Sequence, residues 1–341
     1  MVRGWCIAIL LAGLVVPPGC PAQDWAESAP AAEGLDAAPL ARMDAHIQAR
    51  LPHVRSVLIA RHGRLVFEKY YGDVSRDTLQ NIQSMTKSIS SALVGIALRK
   101  KDIRSLDDKV LDYLPAFQGI VTDERVKRIT IRHLLTMSSG IDATRGSFDK
   151  IMAHPVPDTL RGRLIFDPGA GFKYSDPGAH LLGSVLWKAT GMPVLEFARK
   201  ELFGPLGVER FTWYADNVGL QSGGMSGLCR ARDILKLGEL YLRKGTWQGR
   251  EIVPAGFVAD SVRVHNSGDF YGETARYGYM WWIAKVAQYD AFYARGYGGQ
   301  YLMVIPKADL VVLCTSDWRQ PEYPEHFALL ADFVLPAVVS R

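Results

Sequence analysis

Two neighbouring stretches near the start of the chain, residues 54–60 and 65–71, are rich in β-branched, aromatic and other apolar side chains. With His62 and Gly63 between them, they predict a β-hairpin. Residues 89–98 are apolar on nearly every helical face, a pattern typical of a helix that is buried all round. A further helix is predicted over residues 40–51. The first hundred residues therefore predict a helix, a hairpin and a core helix.

The rest of the chain changes from helical to strand-like spacing. Helices are predicted over residues 130–140, 180–189, 194–202 and 231–244, strands over 277–283, 292–295, 301–306 and 310–315, and a closing helix over 326–339. Strands at both ends with helices between them predict an α/β plus all-α architecture. In it, residues 40–83 and 250–341 form a discontinuous α/β domain, and residues 84–249 form an inserted, mainly helical domain. Residues 23–39, rich in small side chains, predict a linker.

Composition narrows the class of protein. The chain has 341 residues, 48% of them hydrophobic and 22% charged, which suits a globular protein with a core large enough to need no metal or disulfide framework. The formal net charge is +5, and basic residues are scattered apart from the short run 99–101, so no nucleic-acid partner is expected. We expect Cys229 and Cys314 to be buried free thiols, although an oxidising compartment would permit a disulfide between them.

The first 22 residues look like an export signal, with one arginine, an apolar segment over residues 6–16 and a small-residue end at Ala22. The apolar segment is too short to span a bilayer. Cleavage after Ala22 releases a soluble protein into the periplasm or the medium. A lipid anchor at Cys20 is the alternative, although Pro17 stands where a lipobox has an aliphatic residue. We expect export in soluble form.

The candidate chemistry begins with Ser84 and Lys87, which open the apolar run and lie one above the other on a helix face. A serine hydroxyl is a weak nucleophile until a base takes its proton, and a lysine becomes such a base when burial or neighbouring charge lowers its pKa. A helix N-terminus also suits the oxyanion that acyl transfer forms. The alternative is purely structural: Ser84 as an N-cap and Lys87 as a solvated first-turn residue.

Four features occur in one order along the chain: Ser84-x-x-Lys87, Tyr174-Ser175-Asp176, the bend Gly223-Gly224, and Gly296-Tyr297-Gly298-Gly299-Gln300. Together they resemble the serine β-lactamase and penicillin-binding-protein superfamily, most nearly its class C-like branch, which includes esterases, D-aminopeptidase-like enzymes and 6-aminohexanoate-dimer hydrolases. The resemblance spans residues 40–335. It implies a β-lactamase-like fold, in which N- and C-terminal helices flank an antiparallel sheet and a helical domain is inserted.

The resemblance also implies roles for individual residues. Ser84 matches the nucleophile that forms an acyl-enzyme, Lys87 the group that helps to deprotonate it, and Tyr174 the tyrosine that relays a proton to the leaving group. The backbone N–H groups of Ser84 and Tyr297 match the oxyanion hole, with Gly298 or Gly299 as alternatives to Tyr297. Glycines suit this strand because a substrate must approach its backbone closely.

Two departures from the family pattern bear on the substrate. Gly296-Tyr297-Gly298 replaces the Lys-Thr/Ser-Gly whose lysine holds a substrate carboxylate, which leaves Arg295 as the nearby cation. Asp176 stands where members that handle β-lactams usually have asparagine, and a carboxylate there raises the pKa of Lys87 if the two groups pair. The residues expected to contact substrate are Asp176, Arg295, Gly296, Gly298 and Gly299.

These departures favour an esterase or amidase that acts on small acyl substrates, with 6-aminohexanoate-oligomer hydrolases as the nearest pattern. The alternatives are a β-lactamase or D-alanyl-D-alanine carboxypeptidase-like enzyme, and a non-catalytic envelope module that senses or binds a ligand. The expected partner is a small-molecule ester or amide. Because neither His-Glu-x-x-His nor a paired-cysteine pattern occurs, no metal or other cofactor is expected.

Overall fold

The structure is a computed structural model that describes residues 24–142, 155–270, 273–320 and 326–339. Its strands, in chain order, are β1 (Val54–Arg61), β2 (Arg64–Tyr70), β3 (Gln80–Asn81), β4 (Phe211–Trp213), β5 (Gly227–Cys229), β6 (Thr246–Trp247), β7 (Arg250–Glu251), β8 (Asn266–Phe270), β9 (Glu273–Tyr277), β10 (Trp282–Val286), β11 (Tyr289–Gly296), β12 (Gln300–Ile305) and β13 (Leu310–Ser316). Within the described residues, eight strands form one sheet in the order β2-β1-β13-β12-β11-β10-β9-β8. Its strand pairs are antiparallel, so the predicted antiparallel sheet is confirmed.

The sheet joins the two ends of the chain. The predicted hairpin forms from β1 and β2, and β1 then pairs with β13 with Leu58 opposite Leu313. Every residue of β12 and β13 is buried. Because successive side chains of a strand point to opposite faces, both faces of these strands are covered. This explains why their sequences are continuous apolar runs.

The helices lie mostly between β3 and β8 along the chain. They are α1 (Ala37–Arg50), α2 (Thr86–Lys100), α3 (Val110–Tyr113), α4 (Ile131–Leu135), α5 (Pro155–Arg161), α6 (Asp176–Thr190), α7 (Val194–Ala198), α8 (Gly204–Leu206), α9 (Ala231–Leu242), α10 (Ala255–Ser261) and α11 (His326–Leu329). A π-helical segment, Leu330–Val334, follows α11 and packs against α1. Helix α2 is buried from Thr86 to Ala97, as its apolar sequence predicts.

Helix α9 packs across β1, β12 and β13. The close approach depends on Gly238, where a Cβ atom would lie 2.5 Å from Val311 Cγ1 and 2.9 Å from Leu302 Cδ1. The sequence assigns α9 to the inserted helical domain, residues 84–249, yet the helix lies on the sheet. The boundaries of the two domains stay a prediction.

Residues 24–39, the described part of the predicted linker 23–39, include side chains that pack against the rest of the protein. The indole of Trp25 is buried and donates a hydrogen bond to the backbone oxygen of Arg232 at 2.9 Å. The Arg232 guanidinium, itself buried, contacts Glu27 at 2.6 Å and Glu68 at 2.5 Å. The small side chains that suggest a linker therefore surround a few anchoring residues whose partners lie far along the chain.

Several predictions about the termini and cysteines have different outcomes. Residues 1–22, with the predicted export signal and Cys20, lie outside the described residues. In the part of the chain that the structure describes, no helix is long and apolar enough to cross a membrane. Cys229 and Cys314 are both buried and free, which confirms the expectation of two buried thiols.

The Arg232 cluster generates a stability prediction. Arg232→Met keeps an apolar side chain of similar length but leaves the carboxylates of Glu27 and Glu68 without their shared guanidinium. Since removal of the buried arginine leaves the Glu68 carboxylate, which is 19% exposed, without its cation, we expect the free energy of unfolding to fall by about 2 kcal/mol. Urea denaturation followed by tryptophan fluorescence measures this loss. The control is Arg76→Met, which removes an exposed arginine from Asp24 and should cost less than about 1 kcal/mol; equal losses in the two variants would contradict the prediction.

Candidate active site

Ser84 lies in a single 3-10 turn, Gln83–Met85, between β3 and α2. Gln83 has a φ of 48°, in the left-handed region. The hydroxyl of Thr86 donates to Gln83 O at 2.6 Å and accepts the N–H of Gly227 at 3.1 Å. These bonds tie the turn both to α2 and to β5. The half-buried side chain of Ser84 is therefore presented from a constrained backbone.

Lys87 is 1% exposed and lies one helical turn beyond Ser84. Its Nζ is 3.0 Å from Ser84 Oγ, 2.5 Å from Asp176 Oδ1 and 2.7 Å from Gly224 O. Helix α2 has Met85 at its N-cap, with no side-chain capping bond. The alternative in which Ser84 caps the helix and Lys87 is solvated is therefore wrong.

The three contacts of Lys87 suit both of its protonation states. An ammonium has three N–H donors, one for each oxygen. A neutral amine has two N–H donors and a lone pair. Because the oxygens of Asp176 and Gly224 accept hydrogen bonds, the two donors go to them and the lone pair faces the hydroxyl of Ser84. A proton can thus pass from Ser84 to Lys87 without a change of partners.

Burial and charge act on Lys87 in opposite directions. Desolvation is the larger effect and lowers the pKa of Lys87 below its usual value. The negative charge of Asp176 and its hydrogen bond to Lys87 act to raise that pKa. The balance favours a Lys87 that is neutral, and so able to accept a proton, at lower pH than a solvated lysine, with Asp176 as the group that limits the shift.

A glycine bend allows the third contact of Lys87. A Cβ atom on Gly224 would lie 2.9 Å from Ala179 Cβ and 3.1 Å from Lys87 Nζ, and one on Gly223 would lie 2.2 Å from Ala179 O. Neither position has room for a side chain, so the bend comes close enough to α6 and α2 for Gly224 O to reach Lys87. Ser90 Oγ also holds the bend through Gly223 O at 2.6 Å.

Tyr174 lies two residues before α6, in an aromatic cluster. Its ring stacks on Trp282 at 5.5 Å between centroids and lies 5.1 Å from the ring of Phe270. Lys87 Nζ lies 4.7 Å from the centroid of the Tyr174 ring, within the range of a cation–π contact. Tyr174 and Lys87 are therefore neighbours, as the predicted pair requires.

The end of β11 lies against the turn that carries Ser84. A Cβ atom on Gly296, the last residue of β11, would lie 2.5 Å from Ile82 O and 3.0 Å from Gln83 Cβ. Glycine is needed here because the two backbones approach so closely. The backbone of Tyr297 follows directly, so the two predicted oxyanion donors come from adjacent segments.

Gly298 and Gly299 form the turn beyond Tyr297. Their φ angles are 69° and 83°, in the region that glycine adopts at low cost. A Cβ on Gly298 would lie 2.4 Å from Trp318 Cα. These two glycines therefore shape the turn that connects β11 to β12.

A sequence model of the family described as Beta-lactamase matches residues 43–334. The chain belongs to the β-lactamase family. The match includes Ser84, Lys87, Tyr174 and the end of β11, and it confirms the superfamily that the order of the motifs predicts.

Three individual proteins that resemble this chain share between 18% and 31% of their aligned residues with it. A 6-aminohexanoate-dimer hydrolase of Paenarthrobacter ureafaciens is 24% identical over 347 residues, covering 89% of this chain and 84% of that protein. Esterase EstB of Burkholderia gladioli is 31% identical over 209 residues, covering 52% of this chain and 53% of the esterase. The crystal structure of a family VIII carboxylesterase shares the fold, with a TM-score of 0.74 at 18% identity, covering 92% of this chain and 98% of that one. The predicted β-lactamase-like fold and the assignment to the serine hydrolases are confirmed.

The two departures from the family pattern have different surroundings. Asp176, expected to contact substrate, has one oxygen on Lys87 and a side chain that is 34% exposed. The Arg295 guanidinium lies 5.4 Å from the ring of Phe270 and 5.7 Å from that of Tyr301. Arg295 also lines a cavity of about 290 Å³ next to Trp282. Asp176 is thus tied to the candidate base, whereas Arg295 lies among aromatic rings.

Sequence reasoning missed some contributors to the site. It found the glycine bend but not that Gly224 O is a partner of Lys87, because a backbone carbonyl has no sequence signature. The sequence pattern predicts a strand over residues 277–283 and does not reveal that Trp282 lies beside Tyr174. The density of aromatic residues in that stretch was the available signal.

The contact between Asp176 and Lys87 generates a pH prediction. Asp176→Asn removes the charge that raises the pKa of Lys87, so that pKa falls further. The neutral, basic form of Lys87 then persists to lower pH. We expect the acidic limb of kcat/KM for p-nitrophenyl acetate to move down by about one pH unit.

The matched control for this shift is Asp112→Asn, which removes one negative charge from an exposed position in α3 and should leave the pH profile in place. An acidic limb that stays fixed in Asp176→Asn, or that moves to higher pH, would show that Asp176 does not raise the pKa of Lys87.

Proposed function

We propose that the protein hydrolyses small esters or amides through an acyl-enzyme on Ser84. One observation carries the proposal: the buried Nζ of Lys87, held by Asp176 and Gly224 O, lies 3.0 Å from Ser84 Oγ. A nucleophile and a base within hydrogen-bond reach, with the base oriented by further groups, are the minimum for covalent acyl transfer.

In the first half-reaction, Lys87 takes the proton of Ser84 while Oγ forms a bond to the substrate carbonyl carbon. The negative charge moves to the carbonyl oxygen, where the N–H groups of Ser84 and Tyr297 stabilise it. Collapse of this intermediate breaks the C–O or C–N bond of the substrate. The leaving group departs with a proton, and the acyl group stays on Ser84.

Tyr174 is proposed as the group that relays a proton to the leaving group. A phenol has a pKa near 10, and a neighbouring ammonium favours its phenolate. The position of Lys87 beside the Tyr174 ring supports this coupling. In the second half-reaction a water molecule attacks the acyl-enzyme, gives up its proton to the same pair of groups, and releases Ser84 and a carboxylic acid.

Small acyl substrates are proposed for two reasons. The position where family peptidases and β-lactamases have a lysine for the substrate carboxylate has a glycine, Gly296, close to the Ser84 turn. The aromatic wall of Tyr174, Trp282 and Phe270 suits apolar acyl or aryl groups. The names of the relatives, an esterase and a 6-aminohexanoate-dimer hydrolase, agree with this class.

A β-lactamase or carboxypeptidase-like activity is the second candidate. Arg276, Lys285 and Arg295 line the cavity beside Trp282, and their positive charge would suit a substrate carboxylate.

We also propose that the protein is exported, as a soluble protein or with a lipid anchor at Cys20. This proposal rests on the sequence of residues 1–22.

Covalent labelling tests the nucleophile. An activated fluorophosphonate should modify Ser84, because Oγ attacks phosphorus and fluoride leaves. Ser84→Ala should abolish labelling, whereas Ser88→Ala, which removes a buried hydroxyl bonded to Met280 O, should be labelled like the wild type. Mass spectrometry of the intact protein and its peptides measures both. A folded wild type that is not labelled would overturn the proposed function.

Substrate preference separates the two candidate activities. Because Gly296 stands in place of a carboxylate-binding lysine, we expect kcat/KM for p-nitrophenyl acetate to exceed that for nitrocefin by at least about tenfold, a difference of about 1.4 kcal/mol in transition-state binding. A panel with linear ω-amino amides and D-amino-acid peptides extends the comparison. Faster hydrolysis of nitrocefin would favour the β-lactamase alternative.

A further inference from the structure

The turn between β11 and β12 contains two glycines, Gly298 and Gly299, and its conformation is therefore not fixed by its own residues. Gly296 pairs with Gln300, so the chain reverses over Tyr297, Gly298 and Gly299. Glycine loses more conformational freedom on folding than any other residue, so a turn with two glycines needs outside contacts to hold one shape. An N–H group that stabilises an oxyanion must nevertheless be fixed before the reaction.

The side chain of Gln300 supplies such contacts from inside the protein. It is completely buried, and its Nε2 donates to Gly298 O at 3.0 Å and to Ser316 O at 2.8 Å. The Oε1 atom accepts the N–H of Ser316 at 3.2 Å. Nε2 also lies 3.5 Å from Tyr297 O. One amide therefore connects the turn to the end of β13, the strand that lies between β1 and β12 in the sheet.

His326 holds the next carbonyl of the same turn. Its Nε2 lies 2.7 Å from Gly299 O, and because a carbonyl only accepts, the imidazole is the donor. Burial lowers the pKa of His326 to about 3, so the imidazole stays neutral at ordinary pH. The carbonyls of Gly298 and Gly299 are thus both bound from the interior of the protein.

We infer that Gln300 is a positioning residue for acyl transfer: it holds the Tyr297–Gly299 turn so that the N–H of Tyr297 stays aimed at the oxyanion. The inference rests on the proposed function, because it takes Tyr297 N–H as an oxyanion donor. Gln300 does not touch the reacting atoms. Its effect passes through the backbone of the turn to Tyr297.

Gln300→Met tests this role, since methionine is similar in length but has no amide. A displacement of about 1 Å in a catalytic group can lower a rate about a hundredfold. We therefore expect kcat for p-nitrophenyl acetate to fall about a hundredfold, with KM within about threefold of the wild-type value, because the oxyanion forms only in the transition state. The pH dependence should not change, because Lys87 and Asp176 are untouched.

A second buried glutamine provides a matched control. Gln80 lies in β3, is 8% exposed and accepts a hydrogen bond from Thr315 Oγ1 at 2.6 Å. It thus holds the same end of β13 but not the turn. Gln80→Met should keep kcat within about threefold of the wild type, even if its melting temperature falls as far as that of Gln300→Met.

The outcomes separate this inference from the proposed function. A wild type that fluorophosphonate does not label refutes the proposed function itself. A labelled wild type with kcat of Gln300→Met within threefold of that of Gln80→Met refutes only the positioning role, as does a loss that appears entirely in KM. If Gln300→Met does not fold at the assay temperature, Gln300→Asn takes its place. This variant keeps an amide but shortens its reach by one methylene, and a kcat within threefold of that of Gln80→Met would again refute the positioning role.

Discussion

A lysine amino group lies in the interior of this protein, and much of the site follows from what that burial requires. A buried amine or ammonium is costly unless each of its polar positions has a partner. Lys87 has three, and they come from distant parts of the chain: Ser84 before α2, Asp176 at the start of α6, and Gly224 before β5. The same contacts that make the burial tolerable also place a potential base next to a hydroxyl.

The fold meets this requirement by bringing backbones unusually close together. Gly224 lets a bend approach Lys87, and Gly296 lets the end of β11 lie against the turn before Ser84. Side chains at either position would push apart the segments that form the site. The glycine-rich turn after Gly296 would be soft by itself, and Gln300 and His326 hold its carbonyls from the interior. Glycines thus occupy the positions where two backbones come close together, and the buried side chains of Gln300 and His326 bind the carbonyls of the glycine-rich turn.

Much of the secondary structure was predictable from the local pattern of apolar and polar residues. The apolar run after Lys87 predicts a buried helix because a helix that is apolar all round has no polar face for water, and α2 is such a helix. The hairpin β1–β2 and strands β12 and β13 follow from their apolar and β-branched residues. The linker prediction for residues 23–39 rests on local composition, which does not reveal that Trp25 and Glu27 meet Arg232. The placement of α9 on the sheet was equally hidden, because an amphipathic helix does not specify which surface it covers.

The sequence by itself determined the identity and order of the chemical groups: Ser84 with Lys87, then Tyr174 with Asp176, then two glycine-rich segments. Local spacing was enough for this, since residues three apart on a helix share a face. Only the tertiary structure decided that Asp176 binds Lys87, that Gly224 O is the third partner of that lysine, and that Gln300 binds the Tyr297–Gly299 turn. Each of these contacts joins residues or backbone atoms whose meeting depends on how helices and strands pack. Hydrogen bonds of about 3 Å depend on that packing, and no periodicity in the chain encodes it.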